Sequence, residues 1–148
     1  MLLVIYLLGG VALYMLQERI LFHPEALKRN KSYGFSADFR EMNVAVDETS
    51  NMNIVQFLTK DSLPAGVVLY FHGNRKNIGW YAPYAAGFTK NGYEVWMIDY
   101  PGFGKSTGSL TEQKLYDDAE QLNIMALSKF AAKDIIIYGK SLGTGVAA

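Results

Sequence analysis

Apolar and polar positions divide the chain into three regimes. From Met1 to Leu16, MLLVIYLLGGVALYML carries no charge and presents no polar face. Any helix formed there is apolar all round. Residues 41–47 (EMNVAVD) and 51–60 (NMNIVQFLTK) instead alternate apolar and polar around the break ETS, which predicts an antiparallel hairpin. Past the turn DSLPAG (61–66), alternation gives way to continuous apolar runs: VVLYFHG (67–73), YEVWMIDY (93–100) and DIIIYG (134–139). Such runs are strands buried on both faces.

Helical segments separate these runs. NIGWYAPYAAGFTKNG (77–92) closes on Asn91-Gly92, a helix stop signal. Ser109 and Glu112 are spaced as a capping box. Behind them, Leu115, Ala119, Leu122 and Met125/Ala126 recur at helical spacing. A further helix begins at Ser141. The order is a hairpin, then β-α-β-α-β, then a helix start. It predicts an α/β fold with a parallel sheet covered on both sides. Ligands of such sheets bind at the carboxyl ends of the strands. Those ends are the loops after Phe71, Tyr100 and Tyr138.

Composition adds exclusions. The chain has 148 residues, the size of one domain. Fourteen basic and fourteen acidic residues cancel, which argues for no nucleic-acid partner. The absence of cysteine excludes disulfides, thiolate metal ligands and a cysteine nucleophile. His23 and His72 are too few for a histidine-rich metal site.

The first segment changes the picture more. A bilayer-spanning helix needs about 20 apolar residues. Met1–Leu16 falls short, but Ile20-Leu21-Phe22 extends the run if Glu18 and Arg19 snorkel to the interface. Tyr6, Tyr14 and Phe22 suit interfacial belts. A cleaved signal peptide fits less well, because no basic residue precedes the run and no Ala-x-Ala site follows it. A buried core helix fits least. The expectation is a single-pass membrane anchor over 1–22, a polar juxtamembrane linker over 23–40 and a domain over 41–148. Arg19, Lys28, Arg29 and Lys31 tilt that domain towards the cytoplasmic side.

Two Gly-Lys-Ser tripeptides, at 104–106 and 139–141, raise nucleotide binding. A phosphate loop needs glycine five residues before the Gly-Lys pair. Asp99 and Asp134 stand there instead. A dinucleotide loop would need glycine at Thr107. Both patterns fail, and no cofactor is expected. Gly139-Lys140-Ser141-Leu142-Gly143 does satisfy Gly-x-Ser-x-Gly, between an apolar strand and a helix start. That context puts Ser141 on a tight turn as a nucleophile, with small neighbours and the Leu142 amide aimed at a developing oxyanion. The plainer alternative is Ser141 as a helix cap with glycines for close packing. The second oxyanion amide belongs to the loop after residues 67–73, at Asn74. His72 reads either as a base or as a structural ring bonded to that loop. The structural reading is preferred, because the triad order on this fold is serine, acid, histidine. Asp99 reads as a structural carboxylate bonding loop amides, and Asp117 and Asp118 as solvated helix residues.

YFHGN (70–74), IDYPGFGKSTG (98–108) and YGKSLGTG (138–145), in this order, resemble the α/β-hydrolase superfamily. They are most similar to its membrane-anchored serine-hydrolase branch, which also has an LFHP like Leu21–Pro24. The resemblance implies Ser141 as nucleophile and oxyanion amides at Asn74 and Leu142, supported by His72, Gly73, Gly139 and Gly143. It implies cleavage of an ester or thioester in a small-molecule or lipid acyl substrate. It also implies that 41–148 is the N-terminal half of the fold with its C-terminal strands missing. The family's acid and histidine follow later strands, and LGTGVAA contains neither. A serine without a base is a weak nucleophile, so the chain alone is expected to be inactive. The competing expectation is a non-catalytic, membrane-tethered binding or scaffold protein of the same fold. Arg75 and Lys76 stand where relatives have small residues. They predict a crowded mouth or a preference for anionic substrates.

Overall fold

A computed structural model describes residues 2–148, apart from the side chains of Glu18 and Arg19. Helix α1 (Leu2–Leu21) leads into the short strand β1 (His23–Pro24). The hairpin β2 (Phe39–Ala45) and β3 (Asn51–Phe57) follows, then β4 (Gly66–Phe71) and a second short strand, β5 (Arg75–Lys76). Helices α2 (Ile78–Tyr81) and α3 (Ala85–Thr89), strand β6 (Tyr93–Asp99), helix α4 (Glu112–Leu127), strand β7 (Ile135–Gly139) and helix α5 (Gly143–Val146) complete the order.

Five strands form one sheet in the order β2-β3-β6-β4-β7. The hairpin is antiparallel, with Phe39 opposite Phe57. Strand β6 pairs antiparallel with β3 and parallel with β4, and β7 joins β4 in parallel. Every residue of β4 is buried, which is why GVVLYF shows no polar alternation. Side chains still alternate between faces. Leu69 and Phe71 join Trp96, Ile98 and the α4 residues Leu115, Leu122 and Ala126 on one side. Val68 and Tyr70 join Val95, Met97 and the α2–α3 residues Ile78, Tyr81 and Ala85 on the other. The carboxyl ends of β4, β6 and β7 therefore share one edge, with a helix following each.

Several expectations are corrected. Among the described residues no helix is long and apolar enough to cross a membrane. The apolar run ends at Leu16, before Gln17, short of the length a bilayer requires. This overturns the single-pass anchor, the membrane as partner and location, and the membrane-anchored branch of the resemblance. The side chains of Glu18 and Arg19, expected to snorkel, lie outside the described residues. The expectation of a half-built sheet lacking its C-terminal strands is also corrected, because the strands join in one continuous five-stranded sheet carrying helices on both faces. Its β7 edge leaves Ile136, Ile137 and Tyr138 exposed.

Local signals shift as well. Pro83 divides 77–92 into α2, a 3₁₀ turn (Ala82–Tyr84) and α3. Thr111, not Ser109, caps α4: its backbone is extended and its side chain accepts from the Lys114 amide at 3.2 Å. Asp118 is buried rather than solvated, paired with Lys114 one turn earlier.

The β2–β3 turn yields a pH prediction. Asp47 accepts from the Ser50 hydroxyl, from the Thr49 amide at 2.8 Å and hydroxyl at 2.9 Å, and from the Ser50 amide at 2.8 Å. These bonds, the Ser50 hydroxyl foremost, hold its carboxyl well below the usual 3.8. A depressed carboxyl stabilises the fold above its unfolded pKa, and that contribution is lost as pH falls through the folded value. The Asp47 carboxyl resonance should therefore titrate below 3.8. Asp47→Ala should flatten part of the acid limb of thermal stability. A midpoint at or above the ordinary value contradicts this.

Candidate active site

Strand β7 ends at Gly139, and the chain reverses into α5 within three residues. Ser141 sits at the apex with φ 54°, a left-handed conformation rare outside glycine. Its side chain is exposed. The turn is tight enough to forbid side chains on both flanks. A Cβ on Gly139 would stand 2.2 Å from the Gly143 carbonyl oxygen, and one on Gly143 would stand 2.1 Å from that of Phe71. The elbow is fastened to β4 by the Lys140 amide, which donates to Phe71 O at 2.9 Å. Lys140 itself turns away, its Nζ 3.6 Å from the centroid of the Tyr84 ring.

The loop after β4 comes to the same place. A Cβ on Gly73 would be 3.5 Å from Ser141 Cβ, so that loop abuts the elbow. Among the described residues neither the Asn74 nor the Leu142 amide donates to a protein acceptor. His72 is fully buried beneath the loop, stacked on Tyr81 with centroids 5.1 Å apart and wedged against Tyr100 and Phe103. Its Nδ1 lies 2.7 Å from Gly73 O. That oxygen can only accept, so Nδ1 carries a proton. Gly73 C=O and Asn74 N–H share one trans peptide plane and point opposite ways. Holding the carbonyl towards His72 turns the Asn74 amide away from it.

Below the loop, Asp99 anchors a buried polar network. Its Oδ1 accepts from the Ile78 amide at 2.9 Å and lies 3.3 Å from His72 Nε2, a nitrogen with no hydrogen-bond partner of good geometry. Its Oδ2 accepts from the Tyr33 hydroxyl at 2.9 Å. Burial, then the Asp99 carboxylate, pushes the Tyr33 phenol far above its usual range, so Tyr33 remains a donor. The tight path past Asp99 needs Gly104 at φ +48°, where a Cβ would fall 1.8 Å from Oδ2. The neighbouring Lys105 and Ser106, which resembled phosphate ligands, are both engaged. Lys105 Nζ is 2.6 Å from Glu41 Oε1, and Ser106 Oγ donates to Asp99 O at 2.5 Å.

Ser141, Leu142, Gly73 and Asn74 thus converge, framed by Gly139 and Gly143. His72 lies one layer below, and its ring nitrogens face Gly73 and Asp99 rather than the serine. Arg75 and Lys76 run along the outer rim. Lys76 pairs with Glu25 at 2.9 Å. Among the described residues no three His, Cys, Asp or Glu side chains gather as a metal group. Sequence reasoning missed Tyr33 and Glu41, which reach Asp99 and Lys105 across 66 and 64 positions, and Asn53, whose Oδ1 lies 2.9 Å from the Tyr33 hydroxyl. No local pattern marks them.

The family described as "Serine aminopeptidase, S33" matches residues 62–148. "Protein bem46" of Schizosaccharomyces pombe is 39% identical over 83 residues, 54% of this chain and 28% of that protein. Human "Alpha/beta hydrolase domain-containing protein 17B" is 31% identical over 80 residues, 52% of this chain and 28% of that protein. Among solved structures, a Pyrococcus furiosus esterase superposes with a TM-score of 0.63 at 18% identity, covering 86% of this chain and 50% of that one. A soluble variant of a Saccharomyces cerevisiae monoglyceride lipase gives 0.62 at 20% identity, covering 81% and 41%. These structures share the fold. The chain spans less than a third of the length of the curated relatives it matches.

Proposed function

Because the chain belongs to the serine aminopeptidase S33 family of α/β-hydrolases, we propose that Ser141 is the nucleophile of an ester or thioester hydrolase. Its Oγ attacks the acyl carbonyl. The carbonyl oxygen becomes an oxyanion held by the Asn74 and Leu142 amides. The acyl C–O or C–S bond breaks, the alcohol or thiol leaves with the proton of the Ser141 hydroxyl, and water then hydrolyses the acyl-Ser141 ester to the acid and the free hydroxyl. His72 positions rather than reacts, since its proton on Nδ1 is given to Gly73 O. The observation that carries this reading is the left-handed Ser141 between two glycines that tolerate no side chain, beside two amides that donate to no protein acceptor among the described residues.

One observation favours a second reading. Among the described residues Ser141 Oγ makes no hydrogen bond to a histidine or carboxylate. A serine without a base is a weak nucleophile, so a binding protein built on the same fold is the alternative. A fluorophosphonate probe separates the two. Labelling of the wild-type chain that Ser141→Ala abolishes supports the hydrolase. Equal, background labelling of both removes it and leaves the binding protein.

A further inference from the structure

We propose that the segment Leu21–Leu27 is a strap that sets the direction of the Asn74 amide, with the Asn74 side chain and Phe22 as positioning residues. The inference rests on the hydrolase reading of Ser141. Strands β1 and β5 form a separate two-stranded sheet with both strands exposed. It adds nothing to either core, so burial does not explain it. What it touches does. The His23 amide donates to Asn74 O at 2.9 Å, and the Glu25 amide donates to Lys76 O at 3.3 Å. Pro24 falls between them. In a parallel ladder that residue points its nitrogen away from the partner strand, so proline loses no bond there. Asn74 Nδ2 donates to Leu21 O, one of the carbonyls left open at the end of α1.

The strap then crosses to the second loop. The Gly104 amide donates to Glu25 O at 3.0 Å and the Leu27 amide to Gly104 O at 2.6 Å. Phe22 meets Phe103 edge-on at 6.5 Å, in the same cluster as Leu142. Asn74 is thereby fixed from several directions. His72 holds the carbonyl before it, the strap holds its own carbonyl and side chain, and among the described residues its N–H meets no protein acceptor. The strap also braces Lys76, whose φ of 67° is strained for a lysine. An oxyanion donor acts through its direction, and a displacement of about 1 Å can cost as much as 10²-fold in rate.

The test compares the full chain with Asn74→Ala, Phe22→Ala and Phe22→Leu. Asn74→Ala keeps the backbone amide and deletes only the tether to Leu21. Fluorophosphonate labelling of Ser141 should slow about 10-fold in Asn74→Ala and Phe22→Ala, below the roughly 10²–10³ of losing a donor outright. Melting temperature should stay unchanged in Asn74→Ala and fall modestly in Phe22→Ala, which loses its contact with Phe103. The β4 and β6 amide resonances should stay unchanged in both, and Phe22→Leu should recover most of the rate. Unchanged labelling in Asn74→Ala, or in a folded Phe22→Ala whose His23 amide has lost exchange protection, overturns the strap. Should wild type label no faster than Ser141→Ala, the hydrolase reading fails on its own. The strap is then decided by the Asn74 amide resonance in Phe22→Ala, or in Asn74→Ala with residue 74 observed if Phe22→Ala does not fold. A shift supports positioning and an unmoved resonance overturns it.

Discussion

Gly143→Ala should unfold the elbow, while Gly145→Ala, two residues on, should leave the protein as stable as before or slightly more so. Both substitutions add one methyl group to the same short helix. At Gly143 that methyl would lie 2.1 Å from Phe71 O and 2.8 Å from His72 O. These atoms are main chain at the end of the buried strand β4, so no side chain can swing aside. Overpacking costs about 1–3 kcal/mol where neighbours can adjust, and more where backbone must move. A loss of about 3 kcal/mol or more is expected, a large share of the roughly 5–15 kcal/mol of a typical domain. At Gly145 the same methyl meets nothing within 4 Å. Alanine there gains about 0.5–1 kcal/mol over glycine from reduced chain entropy. Gly139→Ala should behave like Gly143→Ala, since its Cβ would sit 2.2 Å from Gly143 O. Denaturant melts of the three variants decide the matter. A Gly143→Ala midpoint equal to wild type would mean that the elbow is not packed against β4 as described.

The elbow was legible in the sequence because its chemistry is local. Gly-x-Ser-x-Gly after a four-residue apolar run fixes a strand, a turn and a helix start within one short window. The buried strands were legible for the same reason, since Val67–Phe71 and Val95–Asp99 carry their burial in their own composition. Long-range polar contacts leave no such trace. Tyr33 reaches Asp99 across 66 positions, and nothing in SYGFS announces it. Strand β1 is two residues long, too short for any periodicity, and its proline reads as loop until its partner is known. Asp118 looked solvated because carboxylates usually are. Lys114, one helical turn away, is what allows its burial. The first helix misled in the opposite way: a run apolar on every face reads as lipid-facing, yet its length falls short.

Asp99→Ala should cost about 1–3 kcal/mol, and Asp99→Asn appreciably less. Asp99 is fully buried at the end of β6. Its carboxylate accepts from the Ile78 amide at the start of α2 and from Tyr33, and it faces His72 Nε2. Alanine strands the Ile78 amide away from water and removes the carboxylate opposite His72, while Tyr33 keeps Asn53 Oδ1 as an acceptor. An unsatisfied buried donor costs about 1–3 kcal/mol. Asparagine keeps an acceptor for Ile78, and its amide can donate to Tyr33 Oη. Tyr33 can then donate to Asn53 Oδ1, which already lies 2.9 Å away. What asparagine cannot restore is the negative charge opposite His72. The two variants therefore separate packing from electrostatics. Under the proposed function both should also slow labelling of Ser141, because His72 orients the Gly73–Asn74 peptide through Nδ1 and its ring is set in part by Asp99. Slowed labelling in a well-folded Asp99→Asn would trace the effect to the ring. An Asp99→Ala melt within about 0.5 kcal/mol of wild type, the range of an ordinary surface substitution, would show that the network carries no stability.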